Sequence, residues 1–347
     1  DGGMTIDGPS VLVRKSVTDD VSVSANYYVD QVSSASIDVV TTASQYTEER
    51  TEYTVSADYL LNKTILSSGY TNSTENDYEA NTYFFGVSQD FFGDLSTLAL
   101  SYSYGADDVF NAEDETFSDR IRRQNYQVSW TQVMTKNLLM NFNYNIITDE
   151  GYLNNPYRSA RYLVDGADAD TLANDAYSYR QEFYPRTRTS HAAAMRGRYF
   201  LPYRAAFSFE YRRFNDTWNI NAYNMQFGYT HPIQDDWTLE FKYRFYSQSD
   251  AEFYSDLFPS INYQTFFARD KEMSRFSSDV FGVGVGYEFK PTWTTWVEKA
   301  SANISIDFMQ FDYENFRDLR VEGVTPGTEP LYSFDAMVTR LYISAWF

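Results

Sequence analysis

The stretch Trp237-Thr238-Leu239-Glu240-Phe241-Lys242-Tyr243-Arg244-Phe245-Tyr246-Ser247-Gln248 alternates in a strict period of two. Trp237, Leu239, Phe241, Tyr243 and Phe245 fall on one face, and Thr238, Glu240, Lys242, Arg244, Tyr246 and Gln248 on the other. Successive side chains of an extended chain point to opposite sides, whereas a helix returns to one face only about every 3.6 residues. The segment therefore predicts a strand with one apolar and one polar face.

Moving outward, the same pattern recurs. Phe281, Val283, Val285 and Tyr287 oppose Gly282, Gly284, Gly286 and Glu288. Leu138, Met140, Phe142 and Tyr144 oppose Leu139, Asn141, Asn143 and Asn145, and Val21, Val23, Ala25 and Tyr27 oppose Ser22, Ser24, Asn26 and Tyr28. At the C-terminus, Met337, Leu341, Ile343, Ala345 and Phe347 share one face, with Arg340, Tyr342, Ser344 and Trp346 on the other. A soluble sandwich would have to bury the face that carries Glu, Lys, Arg, Asn and Gln, and unpaired buried charge is costly. A water-filled lumen holds that face without penalty. The fold expected is all-β: a single domain over residues 1–347, forming a transmembrane antiparallel up-and-down β-barrel.

Composition agrees. Among 347 residues there are 31 Tyr and 27 Phe, as aromatic girdles at both membrane interfaces require. No run of about 18 apolar residues exists, so no helical span is expected. A mean hydropathy of -0.50 does not argue against a barrel, because its apolar residues occupy only every second position. There is no Cys, which removes disulfides, thiol nucleophiles and Cys-based metal sites, and suits passage through an oxidising periplasm. The formal net charge of -20 disfavours nucleic acid as a partner. An acidic exterior is compatible with outer-membrane lipids and lipopolysaccharide bridged by divalent cations.

Connections alternate between short turns (Leu61-Asn62-Lys63, Thr135-Lys136-Asn137) and longer polar stretches at 34–49, 105–122, 148–186, 251–275 and 315–333. Short turns face the periplasm and long loops face outward in this class. Counting gives about fifteen strands, the last running downward. Bacterial single-chain barrels have an even number, so a sixteenth strand upstream of Asp1 is the favoured reading; a true fifteen-strand barrel or a miscount are the alternatives. The start at Asp1-Gly2-Gly3 shows no signal peptide and reads as processed or truncated.

Several segments resemble a proteobacterial family of predicted outer-membrane proteins catalogued as a domain of unknown function. They include Tyr46-Thr47-Glu48-Glu49-Arg50-Thr51, Gly151-Tyr152-Leu153-Asn154-Asn155-Pro156-Tyr157-Arg158, Tyr184-Pro185-Arg186-Thr187-Arg188, Phe253-Tyr254-Ser255-Asp256-Leu257-Phe258-Pro259 and Phe316-Arg317-Asp318-Leu319-Arg320. The resemblance spans nearly the whole chain and implies an outer-membrane barrel with a further aromatic strand upstream. Members are often encoded beside a flavin transferase, a thioredoxin-like protein and a small lipoprotein. By association, that implies a periplasmic redox partner or a partner lipoprotein.

Candidate functional residues lie on the polar face. Arg188, Arg196 and Arg198 share one strand, Glu210 and Arg212 the next, and Glu240, Lys242 and Arg244 a third. Either this strip selects anions or grips an acidic plug, or Arg and Glu simply pair across the lumen. Gly282, Gly284 and Gly286 leave a smooth inward patch, against which a plug packs or which eases strand curvature. Acids at Asp165, Asp168, Asp170 and Asp175 lack the Gly and Glu placement of a calcium loop, so no metal site is expected. Neither His191 nor His231 pairs obviously with a Ser and an acid in one site, so an enzyme is not expected. No cofactor motif is present. Two function classes remain: a porin-like polar channel for small solutes, or a barrel sheathing a partner lipoprotein in a flavin-linked electron-transfer system.

Phe347 is read as the signal for the barrel assembly machinery. Deleting it, or making Phe347→Asp, is expected to lower the yield of folded barrel in outer-membrane fractions. A normal yield of surface-exposed protein would overturn that assignment.

Overall fold

Nearly every alternating segment becomes a strand of one antiparallel sheet in the computed structural model, which describes residues 5–34, 46–164, 176–291, 297–321 and 323–346. The strands are β1 (Thr5–Asp7), β2 (Ser10–Ser16), β3 (Val21–Ser34), β4 (Tyr46–Leu61), β5 (Thr64–Thr74), β6 (Tyr78–Phe91), β7 (Ser96–Phe110), β8 (Ser118–Thr135) and β9 (Leu138–Gly151). A short hairpin follows, β10 (Ser159–Leu163) and β11 (Tyr177–Gln181). Then come β12 (Thr187–Phe200), β13 (Ala206–Asp216), β14 (Asn221–Ile233), β15 (Trp237–Gln248), β16 (Phe276–Phe289), β17 (Lys299–Arg317) and β18 (Leu331–Trp346). Each strand pairs with its neighbour in sequence, except that β9 pairs with β12 and the β10–β11 hairpin stands apart in a two-stranded sheet. β1 and β2 pair with different halves of β3, so the sixteen strands of the main sheet fill fifteen ladder positions. The break between them falls at Pro9, which has no N–H to give; its carbonyl still accepts Val29 N–H at 3.0 Å. The architecture is that of an up-and-down barrel. Among the described residues, no pairing joins β18 to β1 or β2.

Register converts the alternation into rows. Phe209, Phe227, Tyr243, Phe281, Phe308 and Met337 are opposite one another across six strands, and so are Tyr229, Phe241, Val283 and Ile306. Most of these side chains stay exposed, Phe281 at 55% and Met337 at 69%. So large an apolar surface is tolerable only against lipid. The opposite face lines the lumen. From β3 to β9 hydroxyls and amides predominate: Ser24 meets Ser56 at 2.7 Å, Thr54 meets Thr71 at 2.8 Å, and Asn141 Nδ2 donates to Thr131 Oγ1 at 2.8 Å. Charges lie among them, with Arg14 paired to Asp58 at 3.1 Å and Arg123 to Asp149 at 2.7 Å, and more follow from β12 to β18.

The lower turns are tight. Leu61 pairs with Thr64, leaving a two-residue turn at Asn62–Lys63 in which Asn62 takes φ 58°. Such turns need a positive φ, which Asn tolerates. The upper ends differ from expectation. β7 and β8 continue to Phe110 and from Ser118, so the connection expected over 105–122 shrinks to 111–117. β17 and β18 likewise shorten the one expected over 315–333 to 318–330. The apolar face ends at the membrane boundary, but the backbone ladder continues above it, so alternation of polarity marks strand ends too early. Of the 34–49 connection, 35–45 lies outside the described residues, as do 165–175 with their acids, and Phe347. His231 sits in β14 opposite Leu239.

Phe241 and Val283 lie mid-strand in adjacent lipid-facing positions. Phe241→Arg or Val283→Arg is expected to cost about 2–4 kcal/mol of barrel stability. Heat-modifiable gel mobility in a urea series would read it, and unchanged stability in both variants would mean the two faces are inverted.

Candidate functional site

The charged wall is mostly ion-paired. Arg196 pairs with Glu210, directly opposite on β13. Arg188 reaches Asp216 at 2.6 Å and lies over the Trp218 ring at 4.5 Å. Lys242 reaches Asp307 at 2.9 Å, and Arg340 reaches the same carboxylate at 2.8 Å. Asp307 is two strands away from Lys242, with Gly282 between them in register. A Cβ on Gly282 would stand 2.3 Å from Asp307 Oδ1 and 3.0 Å from Lys242 Cε, so the glycine leaves the path of the ion pair open. A Cβ on Gly286 would meet Asn303 Oδ1 at 2.7 Å, and one on Gly284 would make ordinary contact with Glu240. Neighbouring side chains thus lie across this patch. Arg198, Arg212, Arg244 and Glu240 make no ion pair or hydrogen bond among the described residues; Arg244 lies over the Tyr246 ring at 5.8 Å.

Above this wall the loops form a packed cap. Residues 249–275 contain Phe253, Tyr254, Phe258, Tyr263, Phe266 and Phe267, too many rings for a solvated loop. Tyr184, Trp218 and Phe253 form a mutual triangle, with centroids 5.2–5.6 Å apart. Phe258 and Phe267 stack at 4.5 Å and are fully buried. The loops lean inward: this cluster packs on Phe214, and Gln248 Nε2 donates to the carbonyls of Glu272 and Ser274 at 2.9 and 2.7 Å. Phe214 and Gln248 both belong to the lumen face.

A buried ionic knot ties three loops together. Arg161, on β10, is wholly buried. It donates to Glu329 at 2.5 and 3.0 Å, to the Asp256 carboxylate, and to the Asp256 carbonyl at 2.9 Å. Arg269 takes the other Asp256 oxygen at 3.1 Å and the carbonyl of Arg317 at 3.0 Å. Arg161 holds Glu329 below the usual carboxylate range, against burial pushing it up. A second cluster sits beside it. Glu182 accepts from Arg269 N–H at 2.5 Å and from the Tyr184 hydroxyl, and Arg158 pairs with Asp270. Burial pushes Asp270 up to about 7, with Glu182 and Glu272 adding to the shift and Arg158 opposing it.

The motif at 154–158 anchors the cap. Asn154 accepts from Tyr184 N–H at 3.0 Å, and the Tyr157 hydroxyl accepts from Ala112 N–H at 2.8 Å and lies near Asp77. The 152–186 connection therefore touches the β5–β6 turn on one side and Glu329 of the β17–β18 loop on the other, crossing the mouth. It leaves the sheet at Gly151, whose φ is 129°. A Cβ there would lie 1.9 Å from the Arg120 carbonyl oxygen. Sequence reasoning missed Asp216, Asp256, Asp307, Arg161, Arg269 and Glu329. The aromatic content of 249–275 was the one available signal.

Solved structures share the fold at low identity. The siderophore receptor PirA from Pseudomonas aeruginosa matches with a TM-score of 0.51 and 8% identity, covering 98% of this chain and 60% of that one. PirA from Acinetobacter baumannii matches at 0.50 and 8%, covering 98% and 57%. The alcaligin outer-membrane receptor FauA from Bordetella pertussis matches at 0.48 and 14%, covering 99% and 57%. The chain thus spans less than two thirds of the length of these receptors. No curated protein matches it. Matched over residues 41–129 and 110–307, the chain belongs to the family described as protein of unknown function (DUF3570).

Proposed function

We propose that the protein is a channel in the Gram-negative outer membrane, passing small solutes through a polar lumen narrowed at its outer mouth by the loop cap. The observation that carries this reading is the contrast between the two faces of one sheet. Exposed apolar rows cover the outside, and hydroxyls, amides and charges line the inside. A packed protein core would not be built from the inner face. Among the described residues Arg198, Arg212 and Arg244 form no ion pair, so the reading includes a preference for anions. Lipopolysaccharide and the barrel assembly machinery are the partners this placement brings.

A second reading rests on the asymmetry of the two ends. The lower connections are as short as two residues at Asn62–Lys63, whereas the outer mouth is crossed by tied loops. A barrel open below and covered above suits a sheath that takes a small periplasmic lipoprotein from beneath.

Planar-bilayer conductance separates them. Folded protein is expected to conduct with anion preference, within a field that extends about 10 Å at 0.1 M salt. Arg196→Ser with Arg198→Ser should lower that preference without unfolding the barrel. Equal permeability to both ions would show that Glu210, Glu240 and the loop acids neutralise the wall. A sealed bilayer, with protein shown to be folded, would favour the sheath.

A further inference from the structure

Not all of the lumen cations are equivalent. Arg188, Arg196, Lys242 and Arg340 are each held by a carboxylate, from Asp216, Glu210 and the shared Asp307. The remaining surplus is not scattered. Arg212, Asn224 and Tyr246 lie in one inward-facing row across β13, β14 and β15, and Glu210, Gln226 and Arg244 lie in the next row. Strand spacing puts the Cα atoms of Arg212 and Arg244 roughly 12 Å apart, within reach of two long side chains that turn towards each other. Arg188, Arg212 and Arg244 all lie close enough to the Tyr246 phenol to act on it electrostatically. Arg244 lies over the Tyr246 ring at 5.8 Å, and Arg212 stands in the same row as Tyr246, two strands away.

The surroundings leave this group positive. Asp216 is wholly buried against Arg188, and it also accepts from the backbone N–H of Trp218 and Ile220. Glu210 is taken by Arg196 and by Asn224 Nδ2 at 3.4 Å. No other carboxylate occupies these two rows on β13, β14 or β15. The position is fixed from above as well. The Tyr246 hydroxyl donates to Gln248 Oε1 at 2.7 Å, and Gln248 Nε2 donates to the carbonyls of Glu272 and Ser274 in the cap. Phe276 packs on the Tyr246 ring at 5.5 Å, and Trp218 lies against Arg188. The cap thus holds Tyr246 in place, and Tyr246 sits between the two unpaired arginines.

We propose that Arg212 and Arg244, on either side of Tyr246, form an anion station directly beneath the cap, which binds a small oxyanion group, phosphate or carboxylate, on a solute in the lumen. The planar fork of a guanidinium matches two oxygens of such a group, and two forks match more than one edge. Chloride offers no such edges, so the station discriminates by shape as well as by charge. Its assignment as a stop on a permeation path rests on the channel reading above; its ability to bind does not.

The test is therefore made at equilibrium. Folded barrel in detergent is titrated with inorganic phosphate by calorimetry, with acetate in parallel, and compared with the Arg212→Ser, Arg244→Ser double variant. Saturable binding of either anion by the parent is expected, weakened at least about tenfold in the double variant, as expected for loss of charge-assisted hydrogen bonds. Heat-modifiable mobility checks that the variant is folded, and Arg212→Lys with Arg244→Lys provides a second variant. It keeps the charge, loses the fork, and should bind with intermediate affinity. Parent protein that binds neither anion, or a folded double variant that binds as tightly as the parent, overturns the station. Binding that is lost in the double variant, in protein that seals a bilayer, upholds the station and removes the channel.

Discussion

A lipid bilayer offers no water to a peptide group, and the rest of this structure depends on that constraint. Every N–H and C=O within the hydrocarbon layer must find a partner in the chain, and an antiparallel ladder running from strand to neighbouring strand supplies them. Once the backbone is fixed in that way, side chains can only alternate. One side must then suit lipid and the other water. The long rows of Phe, Tyr, Val and Ile on one face, and of Ser, Thr, Asn and Arg on the other, are the consequence.

Above the bilayer the constraint relaxes, and a different interaction takes over. The 152–186, 249–275 and 318–330 connections are held by a fully buried guanidinium between two carboxylates, with a second arginine closing the set. Removing one partner from such a group strands a buried charge at a cost of about 3–5 kcal/mol, so the knot holds as a unit or not at all. Aromatic packing of Tyr184, Trp218, Phe253, Phe258 and Phe267 excludes water around it. The inward lean through Phe214 and Gln248 means that these loops shape the lumen as well as the surface.

How much of this could be read from the sequence follows from the range of each interaction. The strands and their faces were legible, because period two is local: Trp237 to Gln248 states it within twelve residues. The lumen cations were legible for the same reason. Their partners were not. Asp307 lies 65 residues from Lys242 and two strands away, and only the register of β15, β16 and β17 brings them together across Gly282. Arg161 and Glu329 are 168 residues apart, in loops with no periodicity to align. Strand ends such as Phe110 and Ser118 were misjudged because polarity stops alternating at the membrane edge, while backbone pairing does not.

The overall charge and the charge of the lumen wall point in opposite directions, and distance resolves the conflict. The chain carries a formal net charge of -20, yet three arginines on the inner wall, Arg198, Arg212 and Arg244, form no ion pair among the described residues. Several cap acids nearest that wall are already committed: Asp256 and Glu329 to Arg161 and Arg269, Asp270 to Arg158, Asp216 to Arg188. Acids farther out on the rim are screened beyond about a Debye length, ~8 Å at physiological salt. An ion in the lumen therefore responds to the few groups within its own cross-section, which on this wall are mostly guanidinium. The same pairing that stabilises the cap also removes its negative charge from the field, so packing the mouth and keeping the wall positive are one structural solution.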